Sequence, residues 1–304
     1  MRITRHPSHS SLNPACALTI GNFDGVHIGH AAILSRLVVN AKNRGLTPTV
    51  MTFEPHPKAF FARADTPSQI LPLRDKLALL AAHGVEHAIV LPFNAALARM
   101  QAVDFVHDLL LERLNTKYLL IGDDFRFGAK RAGDFGLLVQ MNLFELHAHD
   151  SVQLADDRVS SSAIRTALEC GDLAAAQRLL GRPLTLSGHV IYGQQLGRTI
   201  DCPTINLKMP AHLAAQGIYA VHVELNGVVH QGVASIGTRP TVQSNGQCWL
   251  EVHILDFNKN VYGQLAHVTL RHKIRDELKL NGLDELKNAI TQDISDARGF
   301  FARS

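Results

Sequence analysis

Long apolar segments are missing from this sequence of 304 residues. Nowhere do about 18 apolar residues follow one another, the length that a membrane-spanning helix requires. The first 14 residues contain basic side chains but no continuous apolar core of the kind found in secretion signals. The sequence therefore predicts a protein that is neither exported nor inserted into a membrane.

Cysteines are few, and neither sign of charge is in large excess. The four cysteines form no C-x-x-C pair, so we expect reduced thiols in a cytoplasmic protein. The 17 histidines include no H-E-x-x-H or similar spacing, which argues against a zinc site. The net charge is only +3, from 30 basic and 27 acidic residues, without a dense run of Lys and Arg. Nucleic acid is therefore not a predicted partner.

Two kinds of pattern follow one another along the chain, whose length suits two domains. Hydrophobic residues make up 46% and charged residues 19% of the sequence, so extended disorder is excluded. From Ala15 to about Glu145, strand-like and helix-like segments alternate, which predicts an α/β domain with a doubly wound parallel sheet. Beyond Pro183, short valine-rich strands predict a small antiparallel β-barrel with a terminal amphipathic helix. We therefore expect domains at residues 1–182 and 183–304.

The most informative stretch is the turn between the first predicted strand and the first predicted helix. The apolar run from Ala15 to Ile20 predicts the strand, and apolar residues at helical spacing after His30 predict the helix. The first N–H groups of such a helix have no internal partners and carry its positive dipole end, which favours a phosphate. His27 and His30 can direct N–H donors to the same side. By themselves, two histidines at this spacing are more often core or surface residues.

The whole stretch reads G-N-F-D-G-V-H-I-G-H and resembles the nucleotidyltransferase signature in its G-x-F-D-G-x-H-x-G-H form. That form is similar to the adenylyltransferase half of the bifunctional riboflavin kinase/FAD synthetase family of bacteria. The resemblance implies a nucleotidyltransferase-like first domain in which His27 and His30 are catalytic. It also implies a set of residues that bind the ATP phosphates, namely Gly21, Asn22, Phe23, Asp24, Gly25 and Gly29.

Two loops that follow predicted strands resemble family segments lining the flavin and nucleotide pocket. The first contains two prolines that stiffen the backbone around a histidine, and the second contains two aromatic rings. The resemblance implies flavin binding by Phe53, Pro55, His56 and Pro57 in the first loop and by Asp124, Phe125 and Phe127 in the second. Without the resemblance, Phe125 and Phe127 would be read more readily as core residues.

Residues 159–165 read V-S-S-S-A-I-R and open a predicted helix. Considered alone, these serines are good helix N-caps. The segment resembles the I-S-S-T-x-I-R motif of the same family, with Ser162 at the threonine position. The resemblance implies that Ser161 and Ser162 bind phosphate and that Arg165 holds the departing pyrophosphate. The planar guanidinium group suits that role because it offers several fixed donors to phosphate oxygens.

The second predicted domain carries segments similar to the riboflavin kinase module of the family. Residues 197–206 read G-R-T-I-D-C-P-T-I-N, where the family has G-R-x-x-G-F-P-T-A-N. The resemblance implies that Thr204 and Asn206 hold Mg²⁺ and that Gly193, Gly197 and Arg198 bind ATP.

A glutamate further along this domain lies in a segment that matches the family pattern E-x-H-x-x-D-F. The resemblance implies that Glu251 is the general base that accepts the proton of riboflavin's terminal ribityl hydroxyl. It also implies that Arg275 binds the flavin. Asp201 and Cys202 stand where the family has Gly and Phe. A carboxylate near a phosphate would repel it by about 1 kcal/mol in water and about 4 kcal/mol in a partly buried site.

The resulting hypothesis is a bifunctional enzyme that uses ATP as co-substrate and Mg²⁺ as cofactor. Riboflavin is phosphorylated to FMN, and FMN is then adenylylated to FAD with release of pyrophosphate. One alternative is an FAD synthetase whose kinase half is impaired by Asp201 and Cys202. A second is a flavin-binding regulator without turnover. Transfer of a nucleotide to pantetheine phosphate or a similar acceptor is disfavoured, because it leaves the kinase-like barrel without a purpose. The sequence predicts no oligomeric state.

Overall fold

In the computed structural model, the chain forms two compact units. The first unit comprises Met1–Pro67 and Lys76–Val159, and the second comprises Ser68–Asp75 and Ser160–Ser304. The structure describes residues 1–7, 14–61, 66–122, 124–149, 153–154, 157–193, 202–238, 247–279 and 282–303.

A six-stranded parallel sheet forms the centre of the first unit, as the alternating pattern predicted. Its strands are β1 (Arg2–Thr4), β2 (Cys16–Ile20), β3 (Thr47–Glu54), β4 (His87–Pro92), β5 (Thr116–Gly122) and β6 (Glu145–His149). The order across the sheet is β1-β4-β3-β2-β5-β6, and every pairing is parallel. Because all six strands run in the same direction, the carboxyl ends of β2, β3 and β5 lie at the same edge of the sheet, where ligands bind in such folds. The short edge strand β1 was not predicted.

Helices cover both faces of this sheet, which makes it doubly wound. They are α1 (Ile28–Asn43), α2 (Pro57–Phe61), α3 (Leu73–Ala82), α4 (Ala95–Arg99), α5 (Ala102–Asp104) and α6 (Phe135–Met141), with a π-helix at Phe105–Arg113 that continues α5 and a 3₁₀ turn at Ala129–Arg131. Alternate residues of β2 serve the two faces: Leu18 packs in a core with the π-helix and α6, and Ala17 packs with α1 and α3. A small ladder follows, with strands β7 (Gln153–Leu154) and β8 (Asp157–Arg158).

The described part of the second unit is an antiparallel barrel with three helices. Its elements are α7 (Ser161–Glu169), α8 (Leu173–Leu180), β9 (Thr185–His189), β10 (Ile205–Lys208), β11 (Gly217–Leu225), β12 (Val228–Thr238), β13 (Cys248–Ile254), β14 (Leu265–Arg275) and α9 (Leu283–Ala302). The strand order is β10-β13-β12-β11-β14-β9, and a bridge between Ile191 and Asn206 links the two edges. The predicted antiparallel barrel with a terminal helix is therefore confirmed.

Local sequence explains a tight hairpin turn of the barrel and the apolar face by which α9 packs on it. Asn226 and Gly227 both have positive φ, 51° and 79°, as the tight hairpin turn that an Asn-Gly pair favours requires, and they join β11 to β12. A second Asn-Gly pair, at 245–246, also predicts a hairpin but lies outside the described residues. Ile294 and Ala297 of α9 pack with Ile218 on the outer face of the barrel. Within the described ranges, none of the helices combines the length and apolar character needed to cross a membrane.

The two compact units divide the chain at points that differ from the boundary predicted between Arg182 and Pro183. Residues of α8 line a small cleft together with Leu184 and Leu270 of the barrel, which is why this helix groups with the second unit. Ser68–Asp75 also joins the barrel, because Gln69 N donates to His212 O at 2.6 Å. The division at 182/183 follows the sequence motifs and stays a prediction.

Candidate functional site

The glycine-rich turn of the first unit joins the central strand β2 to α1. Gly25 has φ of 84°, and Phe23 and Val26 also have positive φ, 48° and 41°. Such values cost energy for non-glycine residues, and burial of Phe23 and Val26 in the core holds them in place. Val26 N donates to Phe23 O at 3.3 Å, which closes the turn. The signature therefore folds into a compact loop at the carboxyl edge of the sheet.

His27 and His30 are brought together at the start of α1. His27 is the N-cap residue, and its Nδ1 accepts from the backbone N–H of His30 at 3.3 Å. The two rings are stacked, with centroids 3.6 Å apart and planes 16° from parallel. Because Nδ1 of His27 acts as an acceptor, the neutral ring carries its proton on Nε2. Two imidazole rings thus stand side by side where the helix exposes its first N–H groups.

A buried lysine near this turn was missed by the sequence analysis. Lys76 in α3 is 7% exposed. Burial lowers its pKa, and the charges of Asp24 and Glu54 oppose that shift. Lys76 therefore balances an acidic residue of the signature turn and one at the end of β3. The sequence signal for this role is weak: Lys76 follows Arg74 and Asp75 and directly precedes the apolar run of α3.

The predicted flavin-binding residues Phe53, Pro55, His56 and Pro57 lie where β3 ends and α2 begins: Phe53 belongs to β3, and Pro57 is the first residue of α2. Phe53 is half-buried and meets Phe93 edge to face at a centroid distance of 5.8 Å. His56 Nδ1 accepts from Lys58 N at 3.1 Å. Phe60 and Phe61 of α2 also contact Phe93, at 5.6 and 5.7 Å, and both are exposed. Phe60, Phe61 and Phe93 were missed, although Phe93 follows β4 much as the predicted loops follow their strands.

The loop after β5 holds the other predicted flavin-binding residues. Asp124 is exposed and Phe125 is half-buried. Phe127 is 6% exposed and packs between Phe105 and Phe125, with both centroid distances 5.5 Å. Phe127 is therefore a core residue that supports Phe125, and its contact with flavin stays a prediction.

The serine and arginine motif forms the first turns of α7. The N-cap is Ser160, whose hydroxyl accepts from Ala163 N at 3.2 Å, so Ser161 and Ser162 lie within the first turn. Arg165 Nε donates to Ser68 O at 2.6 Å. Contacts assign all of these residues to the second unit, whereas the histidine pair belongs to the first.

Strand register brings the predicted kinase residues into one row across the barrel. Asn206 of β10 lies opposite Glu251 of β13, which lies opposite Ser235 of β12. Ser235 lies opposite Ile218 of β11, and Ile218 lies opposite Arg275 of β14. Residues directly opposite each other in antiparallel strands point to the same face. Residues far apart in the sequence therefore share one surface of the barrel.

Two cavities meet at this surface. The larger, about 750 Å³, is lined by Gly193, Thr204 and Asn206, among other residues. The smaller, about 300 Å³, is lined by Glu251 and Arg275 together with apolar residues of α9. Thr204 and His253 line both cavities. A ligand in one cavity can therefore approach a ligand in the other beside Thr204.

Close packing and hydrogen bonds hold the residues around the junction of the two cavities. An added Cβ on Gly193 would lie 2.5 Å from Asn206 Nδ2, so the backbone of Gly193 packs directly on the asparagine side chain. Asn206 is 5% exposed. Arg275 donates from Nε and Nη2 to the two carboxylate oxygens of Asp293, both at 2.7 Å. This ion pair ties α9 to β14 at the edge of the smaller cavity.

Comparisons with known proteins agree with this arrangement over nearly the whole chain. The FAD synthetase family model matches residues 9–163, and the riboflavin kinase family model matches residues 180–301. A bifunctional riboflavin kinase/FMN adenylyltransferase from Escherichia coli (strain K12) is 44% identical, covering 94% of this chain and 93% of that protein. Its counterpart from Haemophilus influenzae is 42% identical, with 94% of each chain covered. The chain belongs to the bifunctional riboflavin kinase/FMN adenylyltransferase family.

Membership in this family establishes the two activities. Riboflavin is phosphorylated to FMN, and FMN is adenylylated to FAD, with ATP as the donor in both steps. Both catalytic halves are matched, which leaves no support for a regulator without turnover or for transfer to pantetheine phosphate. A solved structure described as a macrolide-efflux protein from Streptococcus pneumoniae has the same architecture, with a TM-score of 0.76 and 28% identity. That similarity covers 98% of this chain and 99% of that one.

Several residues implied for the kinase half fall outside the described ranges. Gly197, Arg198 and Asp201 are among them. Cys202 is described: it is 6% exposed and lines the smaller cavity. Burial raises the pKa of its thiol to about 11, so Cys202 is a neutral, compact side chain there.

Family members of this kind use ATP and generally need a divalent metal ion. The residues at the cavity junction fit such an ion: Thr204 offers a hydroxyl and Asn206 a carbonyl oxygen, the hard ligands that Mg²⁺ accepts. Among the residues that the structure describes, no three His, Cys, Asp or Glu side chains form a metal site. An ion at this place would therefore take most of its ligands from ATP and water.

Proposed function

We propose that the barrel surface formed by Asn206, Glu251 and Arg275 carries out the kinase reaction. The row that strand register creates across the barrel is the observation that supports this assignment. ATP occupies the larger cavity, with its terminal phosphate toward Thr204. Riboflavin occupies the smaller cavity, with its ribityl hydroxyl toward Glu251. The hydroxyl oxygen then stands in line with the γ-phosphorus, and alignment of this kind accounts for much of phosphoryl transfer catalysis.

Glu251 acts as the general base in this proposal. As the ribityl oxygen bonds to the γ-phosphorus, the bond to the β-phosphate oxygen of ATP breaks and Glu251 takes the hydroxyl proton. Thr204 and Asn206 hold Mg²⁺, which supplies positive charge to the transferring phosphate when it is bound. Gly193 packs on Asn206 and keeps that amide oriented. The products are FMN and ADP.

The histidine pair of the first unit serves the adenylyl transfer. A phosphate oxygen of FMN attacks the α-phosphorus of a second ATP, and pyrophosphate leaves, so no covalent enzyme intermediate is needed. His27, His30 and the first N–H groups of α1 neutralise charge that develops on the phosphates. Arg165, Ser161 and Ser162 hold the departing pyrophosphate. Phe53 and Phe125 contact the flavin ring of FMN.

The two activities are assigned to the two halves of the sequence. Residues 1–182 carry the adenylyltransferase motifs and residues 183–304 the kinase motifs, close to the family matches at 9–163 and 180–301. We assign the protein to the cytoplasm, where riboflavin, ATP and reduced thiols coexist, and assign it no nucleic-acid partner, in keeping with its net charge of +3.

Two single substitutions test this assignment. His30→Ala should slow FAD formation from supplied FMN about 10²- to 10³-fold, because it removes a donor that stabilises transition-state charge. FMN formation from riboflavin should change by less than about twofold. Glu251→Gln should slow FMN formation at least about 10²-fold and leave FAD formation from supplied FMN unchanged. Products are separated by chromatography after incubation with MgATP.

Each variant serves as the control for the other. Equal loss of both activities in either variant would contradict two separate sites. The unmodified protein addresses the remaining alternative in the same assay. If it makes FMN from riboflavin far more slowly than it makes FAD from FMN, the kinase half is impaired, as the Asp201-Cys202 alternative holds.

A further inference from the structure

Glu277 is an acidic residue of the kinase half that no motif singled out. It lies two residues beyond Arg275, in the segment that leaves β14 before α9. It lines the smaller cavity together with Glu251 and Arg275. Its carboxylate lies against the backbone of Gly237, in the space that a side chain at Gly237 would fill. Only a glycine at that position lets the carboxylate approach the strand so closely.

The position of Gly237 relates the two carboxylates. Gly237 lies two residues beyond Ser235 on β12, so both face the same side of the sheet. Ser235 lies directly opposite Glu251 on β13. The Glu277 carboxylate therefore lies beside Gly237, which is the next residue after Ser235 on this face of β12, and Ser235 is paired with Glu251. Partial burial raises the pKa of Glu277, the charge of Glu251 raises it further, and Arg275 lowers it.

Arg275 attracts Glu277 but directs its hydrogen bonds elsewhere. Its Nε and Nη2 donate to Asp293, and its Nη1 donates to Asp276 O at 2.9 Å. The guanidinium therefore orients α9 and the chain after β14, and these hydrogen bonds leave the acceptor capacity of the Glu277 carboxylate unused.

The cavity lining has an apolar part and a polar part. The apolar part includes Ile218, Val233, Leu286, Ile290 and Ile294, and the polar part includes Thr204, Ser235, Glu251 and Glu277 as well as His253, Arg275 and Asp293. A ligand with a flat apolar ring and a chain of hydroxyl groups matches both parts. Hydroxyl groups donate to carboxylates, and hydrogen bonds to a charged acceptor are stronger than neutral ones.

We propose that Glu277 is a second acceptor for the hydroxyl chain of riboflavin, beside Glu251, and sets the specificity for that chain. The inference rests on the proposed kinase site. In it, Glu251 accepts the proton of the reacting hydroxyl, and Glu277 accepts a hydrogen bond from another hydroxyl of the same chain. Glu277 thereby fixes how far the chain extends toward Thr204 and the phosphate.

Steady-state kinetics of FMN formation test this role in the full-length protein. Glu277→Ala should raise KM for riboflavin about 10- to 100-fold, the range for a hydrogen bond to a charged group, and change KM for ATP less than about twofold. Glu277→Gln, which keeps an acceptor, should raise KM for riboflavin only a few-fold. Asp276→Asn is the matched control, because Asp276 is the adjacent carboxylate, is exposed and pairs with Lys273 at 2.6 Å. It should leave both constants unchanged.

Riboflavin analogues that each lack one chain hydroxyl provide the decisive readout. One analogue should bind the unmodified enzyme about 10-fold or more weakly, yet lose nothing further in Glu277→Ala. Equal penalties for every analogue in both proteins, or equal rises in the KM values of riboflavin and ATP, would overturn the proposal. Should Glu251→Gln keep full FMN formation, the proposed kinase site is wrong instead, and the two failures are therefore distinguishable.

Discussion

At the scale of single residues, the signature turn shows how one side chain can serve both structure and chemistry. The sequence identified His27 and His30 and expected both to direct donors toward a phosphate. In the structure His27 is also the N-cap of α1, which occupies its Nδ1 and leaves Nε2 to carry the proton. The residue types were readable from the motif. The tautomer was not, because it depends on a backbone N–H that only folding places nearby.

His87 carries the clearest pH dependence among single residues. It is 6% exposed in β4, and its ring contacts Arg2 and Thr4 of β1, both at 2.9 Å. Burial, and then the charge of Arg2, lower the pKa of His87 to about 4. In the unfolded chain its pKa returns to about 6.5, so the unfolded state binds the extra proton between these values. The free energy of unfolding therefore falls as pH is lowered through this window and is unaffected above it.

We expect His87 to cost up to about 1.4 kcal/mol of stability per pH unit below pH 6.5, and about 2 to 3 kcal/mol by pH 4. Urea unfolding followed by far-UV circular dichroism at pH 7 and pH 5 measures the difference. His87→Gln should reduce the difference, whereas substitution of the exposed His107 by Gln should not. An unchanged pH difference in His87→Gln would contradict the assignment.

At the scale of elements, local signals predicted helices and turns well where a cap defines the end. Asp172 is of a residue type that favours helix N-caps, and Gly181 of the type that commonly ends helices. In the structure Asp172 accepts from Ala175 N at 2.8 Å, and Gly181 has φ of 75°. The apolar pattern between Ala102 and Asn115 is also typical of a helix, but in the structure this helix continues as a π-helix after Asp104. Its hydrogen-bond spacing was not readable from side-chain periodicity, since both helix types bury one face.

A partly buried ion pair ties the terminal helix α9 to the barrel. The side chain of Asp293 is 6% exposed and that of Arg275 is 25% exposed. Asp293→Ala would leave the guanidinium without its carboxylate, at a cost of about 3 kcal/mol. Because α9 lines the smaller cavity, KM for riboflavin should rise as well. Fluorescence of Trp249, the single tryptophan, follows unfolding of the barrel in urea.

A second ion pair between α9 and the barrel is the control. Arg298 donates to both carboxylate oxygens of Asp256, but the side chains are 51% and 76% exposed. Water and salt screen exposed pairs, so Arg298→Gln should barely shift the urea midpoint. Similar shifts in both variants would indicate that burial does not decide the strength of these pairs.

At the scale of the whole molecule, motifs and contacts divide the chain at different points. Motifs end the first half near residue 182, whereas contacts join residues 160–182 to the barrel. Buried residues of α7 and α8 include Ile164, Leu168 and Leu180. Because the helical periodicity of these residues resembles that of the preceding α/β segments, the sequence-based prediction placed α7 and α8 in the first domain. Which surface a helix covers is set by packing and leaves no trace in periodicity alone.

Fragments test which division produces a stable kinase. We expect residues 160–304 to phosphorylate riboflavin and to unfold at a higher temperature than residues 183–304, because the shorter fragment exposes barrel residues such as Leu184 and Leu270. Thermal unfolding and FMN formation are measured on both. Equal melting temperatures would show that α7 and α8 add nothing to the barrel.

The sequence by itself determined the fold class of both halves, the turn chemistry and the residue types of both sites, because periodicity and motifs are local properties of the chain. Only the tertiary structure decided that Asn206, Glu251 and Arg275 form one row, that Glu277 joins them, and that Phe127 and Lys76 are buried. Strand register and burial depend on contacts between residues distant in sequence, and such contacts form only when the chain closes on itself.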